Sequence, residues 1–247
     1  MDPDAGRGLE AEVGVSRGLP LLELPEEPLD WERLFAVRRP VQVEIGSGKG
    51  RFLIAAAERD RRTNWVGLER RWSTLSLGVE RIARRGLDNA LMVRCDAMLV
   101  VRKLIPPGSV AGFHIYYPDP WWKARQRKRR VFNGAFVADL ARGLMPAGTL
   151  RLATDVAEYY EEILDVIGAS GLFEPRTLTE DEWTPGGEPL TSFEAKYLAR
   201  GKTAHRAAFT RGEAPAPPPE PWVDRKPRGE PLADRLLVPR KGRRRTR

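Results

Sequence analysis

Short apolar runs alternate with longer amphipathic stretches between residues 41 and 167. The short runs are rich in aliphatic and β-branched residues and predict strands at 41–45, 65–68, 90–93, 110–116 and 149–153. The stretches after them combine helix formers with apolar residues at helical spacing and predict helices at 52–58, 75–85, 97–104, 132–144 and 156–167. Regular alternation of strand and helix is typical of an α/β domain with a mostly parallel, doubly wound sheet covered by helices on both faces.

Both ends of the chain lack this alternation. Residues 1–38 are rich in Gly, Pro and Glu and predict a partly ordered arm, with a short helix near 31–35. Residues 39–211 predict the folded domain, with a last strand at 205–210. Residues 212–247 are dominated by Pro, Arg, Lys and Glu, which predicts a disordered tail.

Composition narrows the class of partner. The 247 residues carry a formal net charge of +8, which favours a polyanionic partner. The single Cys excludes an internal disulfide framework and fits a reducing compartment. No apolar run reaches the roughly 18 residues of a membrane-spanning helix, and the first residues lack the pattern of a secretory signal. We therefore expect a cytoplasmic protein with no membrane partner.

An acidic residue lies at or near the carboxyl end of each predicted strand between 41 and 153. In an open parallel sheet those ends meet along one edge, and ligands bind beyond it. One such acid carries little information because Asp and Glu commonly begin turns, whereas five at one edge indicate a binding site. The five are Glu44, Glu69, Asp96, Asp119 and Asp155.

The first of these acids opens a glycine-rich turn at residues 44–50. Glycines such as Gly46 and Gly48 permit tight turning and let a ligand approach the backbone closely. Arg51 occupies the place where a dinucleotide-binding fingerprint needs its third glycine, and no Gly-Lys-Ser/Thr ends the turn as in a P-loop. An acid ahead of such a turn suits a ligand with a cationic group and no phosphates. S-adenosylmethionine, with its sulfonium and amino groups, is such a ligand.

Two further acids can complete a site for this cofactor. Glu69 ends the second strand, where an acid suits ribose hydroxyls. Asp96 follows the third strand, where a carboxylate can accept a hydrogen bond from the adenine amino group. Cys95 is interpreted as a small buried residue rather than as a nucleophile, and no metal site is predicted.

Residues 117–130 join an acid and two indole rings to a dense cationic strip. Pro118 and Pro120 stiffen the backbone around Asp119, whose carboxylate can accept hydrogen bonds from guanine N1–H and N2–H. Guanine N7 carries a lone pair and no proton, so methylation there needs no general base, and the 2 His are expected to be structural. A strip of Lys and Arg can hold phosphates. Its members are Lys123, Arg125, Arg127, Lys128, Arg129 and Arg130.

Three segments resemble the tRNA (guanine-N7-)-methyltransferases of the bacterial single-chain type, and the resemblance covers roughly residues 41–211. The segments are 118–121 with Lys123 and the cluster 128–130, then 153–155, then 191–194 with Gly201 and Phe209 beyond. The resemblance implies a Rossmann-like, class I S-adenosylmethionine-dependent methyltransferase whose sheet has an antiparallel last strand. It also implies transfer of a methyl group to N7 of a variable-loop guanine of tRNA, at position 46.

The resemblance assigns roles by position. Its cofactor-side acids correspond to Glu44, Glu69, Asp96 and Asp119, and its RNA-contacting strip to Arg125, Arg127, Lys128, Arg129 and Arg130. Its substrate side corresponds to Lys123, Asp155, Thr191, Ser192, Phe193 and Glu194. Gln126 departs from the family's usual His, and Trp122 from its usual Pro or His. The implied partner is tRNA, with no obligate protein partner and a monomeric or homodimeric enzyme.

Three other functions remain open as interpretations of these residues. A methyltransferase acting on an exocyclic amine typically carries Asp/Asn-Pro-Pro-aromatic after the fourth strand, and Asp119-Pro120-Trp121 has one proline fewer. An RNA-binding subunit without activity would be expected to have lost its cofactor acids, whereas Glu44, Glu69 and Asp96 are all present. A nicotinamide-dependent dehydrogenase is disfavoured by Arg51.

Overall fold

The computed structural model describes residues 27–183, 191–201 and 203–219 of the chain. The strands in that part of the chain are β1 (Val41–Ile45), β2 (Asn64–Glu69), β3 (Ala90–Arg94), β4 (Val110–Tyr116), β5 (Leu144–Thr154), β6 (Phe173–Arg176) and β7 (His205–Arg211). The helices there are α1 (Trp31–Leu34), α2 (Arg51–Arg59), α3 (Trp72–Arg84), α4 (Ala97–Lys103), α5 (Gly134–Gly143), α6 (Ala157–Ser170), α7 (Glu180–Trp183) and α8 (Ser192–Leu198). A 3₁₀ helix spans Ala124–Arg129.

The strands form one sheet in the order β3-β2-β1-β4-β5-β7-β6. Strands β1 to β5 pair in parallel, whereas β7 pairs antiparallel with both β5 and β6. The chain leaves β1 toward β2 on one side and returns to β4 on the other, so the winding reverses between β1 and β4. This confirms the predicted doubly wound sheet with an antiparallel last strand, and it places the ligand-binding crevice beyond the ends of β1 and β4.

Helices cover both faces of the sheet. Side chains of α4, α5 and α6 pack with the central strands in one core cluster around Phe113, Leu140 and Ile163. Side chains of α2 and α3 pack in a second cluster around Leu53 and Leu75. Because both faces are covered, strands β1 to β4 are apolar along most of their length, which is why their positions could be predicted from the sequence.

The predicted strands at 41–45 and 110–116 agree with β1 and β4. Strand β2 is one residue longer than predicted at each end, and β3 is one residue longer at its end. The start of β5 was predicted wrongly at 149, because the strand already begins at Leu144, which pairs with Val110 before the register shifts. Four elements were not predicted: β6, α7, α8 and the 3₁₀ helix. Only Phe173 is buried in β6, so this strand shows no alternation of apolar and polar residues.

The chain on either side of the predicted domain also contacts the core. The predicted short helix is confirmed as α1, which Asp30 caps through the N–H groups of Glu32 and Arg33. After β7, the Gly212 N–H donates to the Leu172 carbonyl at 3.0 Å, and Ala216 packs against the core. Residues 1–26 and 220–247, most of the predicted arm and tail, lie outside the described residues. Among the described helices, none combines the length and apolarity needed to cross a membrane.

Replacing Gly78 of α3 by Ala should destabilise the protein. A Cβ there would lie 2.3 Å from the Sδ atom of the buried Met92 and 3.2 Å from the Lys49 backbone, so the helix could not keep its close approach to the glycine-rich turn. We expect the free energy of unfolding to fall by about 1–3 kcal/mol in a urea titration. The matched Gly168→Ala, in open space on α6, should instead raise the free energy of unfolding by roughly 0.5–1 kcal/mol. Equal effects at both positions would contradict the close packing of α3.

Candidate active site

The carboxyl edge of the parallel strands brings together the five acids predicted from the sequence. Glu44 is the penultimate residue of β1, and Glu69 ends β2. Asp96 follows β3, Asp119 follows β4 and Asp155 follows β5. Because β1 to β5 are parallel neighbours, these residues lie along one edge that includes the point where the winding reverses.

The turn after β1 is shaped by glycines in the left-handed region, with φ of +76° at Gly46 and +57° at Gly48. The Gly46 and Ser47 N–H groups donate to the Leu68 carbonyl, which holds the turn against the end of β2. A Cβ placed on Gly46 would meet no described atom within 4 Å, so the space beside this backbone is open to a ligand. The predicted glycine-rich turn therefore leaves room where a cofactor is expected.

Glu69 stabilises this turn through two hydrogen bonds. Its Oε2 accepts a hydrogen bond from the Gly48 N–H at 3.0 Å, and its Oε1 accepts one from the Arg71 N–H at 2.7 Å. Each oxygen keeps a second lone pair that can accept a ligand hydroxyl. Asp96 similarly caps α4 through Oδ1, which accepts from the Met98 and Leu99 N–H groups.

Glu44 is buried, with 3% of its surface exposed. Burial, offset in part by a hydrogen bond from the Leu53 backbone and reinforced by the charge of Glu69, raises the pKa of Glu44 to about 8. Its Oε2 has no hydrogen-bond partner among the described residues. A buried acid with no ion-pair partner among the described residues, close to a second acid at the end of β2, suits a positively charged ligand.

The loop after β4 begins in a strained conformation that neighbouring residues hold in place. Tyr117 has a φ of +52°, which is unfavourable for a residue with a Cβ. Its N–H donates to the Ala153 carbonyl at 2.7 Å, and its hydroxyl donates to Glu194 Oε1 at 2.8 Å. Arg206 donates to the same oxygen at 2.9 Å, and Glu194 is fully buried. These contacts fix the direction in which the chain enters residues 118–120.

Burial and the hydrogen bond to Glu194 both raise the pKa of Tyr117. The hydroxyl therefore stays protonated and keeps donating to the carboxylate. The exposed ring of Phe193 packs against the Tyr117 ring with centroids 4.9 Å apart. Segment 191–194, assigned to the substrate side by resemblance, thus lies beside the loop that carries Asp119.

Thr191 begins α8 by accepting a hydrogen bond from the Glu194 N–H at 3.0 Å, as a helix cap does. The Tyr197 hydroxyl on the same helix donates to the Asp155 carbonyl at 3.2 Å. Helix α8, which Thr191 caps, therefore lies beside Asp155 at the end of β5. The Ser192 side chain lies outside the described part of the chain.

The predicted cationic strip divides into two parts. Arg125, Lys128 and Arg129 are exposed on the 3₁₀ helix or beside it, and the Arg129 guanidinium lies 4.9 Å from the centroid of the Trp121 ring. Arg127 is also exposed and pairs with Glu158 at 2.9 Å. Lys123 is exposed at the start of the 3₁₀ helix, and Asp119 is exposed four residues before it. These cations form a surface beside the loop that carries Asp119.

The structure corrects the assignment of Arg130 to the RNA-contacting strip. Its side chain is only 3% exposed, and its Nε donates to the Pro120 carbonyl at 2.7 Å. The guanidinium also pairs with Glu162 and lies 4.6 Å from the centroid of the Tyr159 ring. Arg130 therefore supports the end of the loop at residues 118–120, because its guanidinium is bound by the Pro120 carbonyl, Glu162 and the Tyr159 ring.

Two residues expected to be structural are confirmed as buried. His114 bonds the Tyr116 hydroxyl and the Gln42 side-chain carbonyl, each at 2.9 Å, and burial holds the pKa of His114 well below its usual value. Burial raises the pKa of the Cys95 thiol, which is 1% exposed, so this residue is not a reactive thiolate.

Sequence reasoning missed the side chains that position the loop. Tyr117 was part of the segment singled out for its composition. Its hydrogen bond to Glu194, which also accepts from Arg206, was not predicted. The only local signal was Thr191 with Glu194 three residues later, the pattern of a helix start. A long-range hydrogen bond leaves no such signal in one sequence.

Two solved structures have a similar fold. The 16S rRNA methyltransferase KamB is 18% identical, with a TM-score of 0.52 that covers 73% of this chain and 91% of that one. An antibiotic-related methyltransferase is 17% identical, with a TM-score of 0.53 that covers 75% and 95%. The fold is therefore the Rossmann-like fold that these two methyltransferases share.

Closer relatives identify the family. The family described as "Putative methyltransferase" matches residues 38–207. A tRNA (guanine-N(7)-)-methyltransferase of Ralstonia nicotianae is 35% identical over 78% of this chain and 77% of its own length. Another from Nocardia farcinica is 37% identical over 75% of this chain and 70% of its own length. The chain belongs to the tRNA (guanine-N(7)-)-methyltransferase family and is a methyltransferase enzyme.

Removing the buried acid of β1 should stabilise the ligand-free protein at high pH. Because the pKa of Glu44 is raised on folding to about 8, its contribution favours the folded state at low pH and is lost as pH rises through 8. Glu44→Gln should therefore match the wild type near pH 5 and exceed its free energy of unfolding by on the order of 3–5 kcal/mol near pH 9. Glu80→Gln, an exposed acid on α3, is the control in the same urea titrations. A Glu44→Gln difference that does not change with pH would mean that the acid is not held neutral.

Substitution of the buried Arg130 should reduce stability, whereas substitution of its exposed neighbour Arg129 should not. Arg130→Gln removes a buried guanidinium from Glu162 and from the Pro120 carbonyl, so we expect a loss of roughly 2–4 kcal/mol in the free energy of unfolding. Arg129→Gln should change it by less than about 0.5 kcal/mol because that side chain is exposed. Similar free energies of unfolding for the two variants in chemical denaturation would contradict the structural role of Arg130.

Proposed function

We propose that this enzyme transfers a methyl group from S-adenosylmethionine to N7 of guanine 46 in the variable loop of tRNA. The observation that carries the proposal is the placement of Asp119, on a loop clasped at both ends, at the edge that also holds the glycine-rich turn and a cationic surface. The names of the relatives support the substrate and the reacting atom. We also propose that the enzyme acts in the cytoplasm, as a monomer or homodimer.

The residues of the carboxyl edge fit this cofactor. The unpartnered Glu44 Oε2 can accept a hydrogen bond from the ammonium group, and Glu69 can accept from ribose hydroxyls. Asp96 keeps Oδ2 for the adenine amino group while Oδ1 caps α4. Gly46 and Gly48 leave the backbone of the turn accessible. S-adenosylmethionine, when bound, supplies the methyl of its sulfonium and leaves as a neutral thioether.

The protein's task is to position the base. Guanine N7 reacts through its own lone pair, so no side chain has to remove a proton. Asp119 accepts from guanine N1–H and N2–H and stabilises the positive charge that the base gains as N7 is methylated. The hydrogen bond from Tyr117 to Glu194 and the one from Arg130 to the Pro120 carbonyl keep Asp119 in place, so that it does not rearrange during the reaction. Positioning of this kind lowers the barrier.

The RNA is held by charge and by helix α8. Lys123 and the exposed cations Arg125, Arg127, Lys128 and Arg129 contact phosphates beside the reacting nucleotide. Asp155, Thr191, Ser192, Phe193 and Glu194 form the substrate side, and the exposed Phe193 ring offers a stacking surface. Glu194 acts here through Tyr117, since its carboxylate is buried.

The reaction is tested with labelled S-adenosylmethionine and an unmodified tRNA transcript, followed by borohydride–aniline cleavage, which maps N7-methylguanosine. Cleavage at guanine 46, and its loss in a transcript with adenine there, supports the proposal. Label without cleavage would mean that another atom, such as an exocyclic amine, is methylated. No label in the presence of bound cofactor would indicate an RNA-binding subunit.

Asp119→Ala should separate catalysis from binding. We expect kcat to fall roughly 100-fold or more because the base loses its positioning acceptor and its compensating charge. The Kd for tRNA and the melting temperature should change little, since Asp119 is exposed and the phosphate-binding cations remain. Asp165→Ala, which removes an exposed acid from α6, is the control and should leave kcat unchanged. Unchanged turnover in Asp119→Ala would remove this residue from the centre of the reaction.

A further inference from the structure

A second group of cations lies on the other side of the cofactor site from the 3₁₀ helix. Arg70 and Arg71 directly follow β2, and Trp72 begins α3. Arg94 ends β3, where it pairs in register with Glu69. We call Arg70, Arg71, Trp72 and Arg94 the β2–β3 cluster. Since β2 is two strands from β4 in the sheet, the cluster lies roughly 10 Å from the end of β4 along the same edge.

Contacts within the cluster order it. The Arg94 Nε donates to the Arg70 carbonyl at 3.4 Å, and the Arg94 guanidinium lies 5.8 Å from the centroid of the Trp72 ring. The Arg71 N–H is held by Glu69. The backbone that presents Arg70 and Arg71 is therefore fixed, whereas both side chains are exposed.

The cluster suits an anion. Neither Arg70 nor Arg71 forms an ion pair with a carboxylate of the described residues. S-adenosylmethionine carries no phosphates and only one carboxylate, so it cannot neutralise both guanidinium groups. The Trp72 ring is 36% exposed, and an exposed indole next to arginines is typical of surfaces that track a nucleic acid backbone and stack on its bases.

We propose that the β2–β3 cluster is a second RNA-binding surface, so that the tRNA spans the cofactor site between this cluster and the 3₁₀ helix. Arg70 and Arg71 bind phosphates, and Trp72 stacks on a base or packs against a ribose. The proposal rests on the proposed function, since it takes tRNA as the polyanion. It adds a contact that segment 123–130 does not provide, and it explains why cations accumulate beside a site for a cationic cofactor.

The test compares two double substitutions that remove the same charge from opposite edges of the sheet. Arg70→Gln with Arg71→Gln removes the phosphate-binding pair of the cluster. Arg61→Gln with Arg62→Gln removes two exposed arginines from the turn before β2, at the amino edge. The Kd of a tRNA transcript is measured at several salt concentrations, and the Kd of S-adenosylmethionine is measured by calorimetry.

We expect the cluster variant to bind tRNA roughly tenfold more weakly, with a salt slope shallower by about 1.5 for two lost phosphate contacts. Its affinity for S-adenosylmethionine and the tRNA affinity of the control variant should not change. Unchanged tRNA affinity in the cluster variant would overturn the proposal. An equal loss in the control variant, or a loss confined to cofactor binding, would also overturn it.

Failure of this proposal can be distinguished from failure of the proposed function. A wrong assignment of the reaction appears as missing N7 methylation by the wild-type enzyme, whereas a wrong assignment of the surface appears in RNA affinity alone. Both substituted pairs are exposed, so melting temperatures close to that of the wild type should confirm that neither variant is misfolded.

Discussion

The carboxyl group of Glu44, buried near the end of β1 with no partner for its Oε2 among the described residues, is the constraint on which the rest of the site depends. Strand β1 ends one residue later, and the turn that follows approaches β2 closely enough for Glu69 to accept a hydrogen bond from the Gly48 N–H. Both acids then face the same small region of the edge. A buried acid held neutral is a cost to folding that a cationic ligand can relieve.

The loop that carries Asp119 is fixed by a different means. Its first residue is strained and is clasped by Glu194, and its last proline is supported by Arg130 from below. The strain is tolerated because the surrounding hydrogen bonds over-determine the conformation. A reaction that needs no proton transfer depends on such positioning, which explains why buried polar contacts surround the loop while Asp119 itself is exposed.

The sequence was sufficient for the parallel strands β1 to β5, apart from the start of β5, and for the acids along their edge, since buried parallel strands are short apolar runs and the acids follow their ends. It was insufficient where contacts between distant residues determine whether a side chain is buried or how a loop is held. Arg130 could not be distinguished from its basic neighbours, and only the position of Tyr159 and Glu162 beneath the loop shows that it is buried. The contact between Tyr117 and Glu194 joins residues 77 positions apart, and no local pattern encodes it. Strand β6 buries one side chain, too few to produce a periodic signal.

Calorimetry of S-adenosylmethionine binding near pH 6.5, in two buffers with different ionisation enthalpies, tests the central claim most directly. If the cationic cofactor is the partner of Glu44, binding converts a protonated acid with a pKa of about 8 into a carboxylate. The wild-type protein should then release close to one proton, and Glu44→Gln should release none and bind more weakly. Equal proton release by both proteins, or undiminished affinity of Glu44→Gln, would contradict the account.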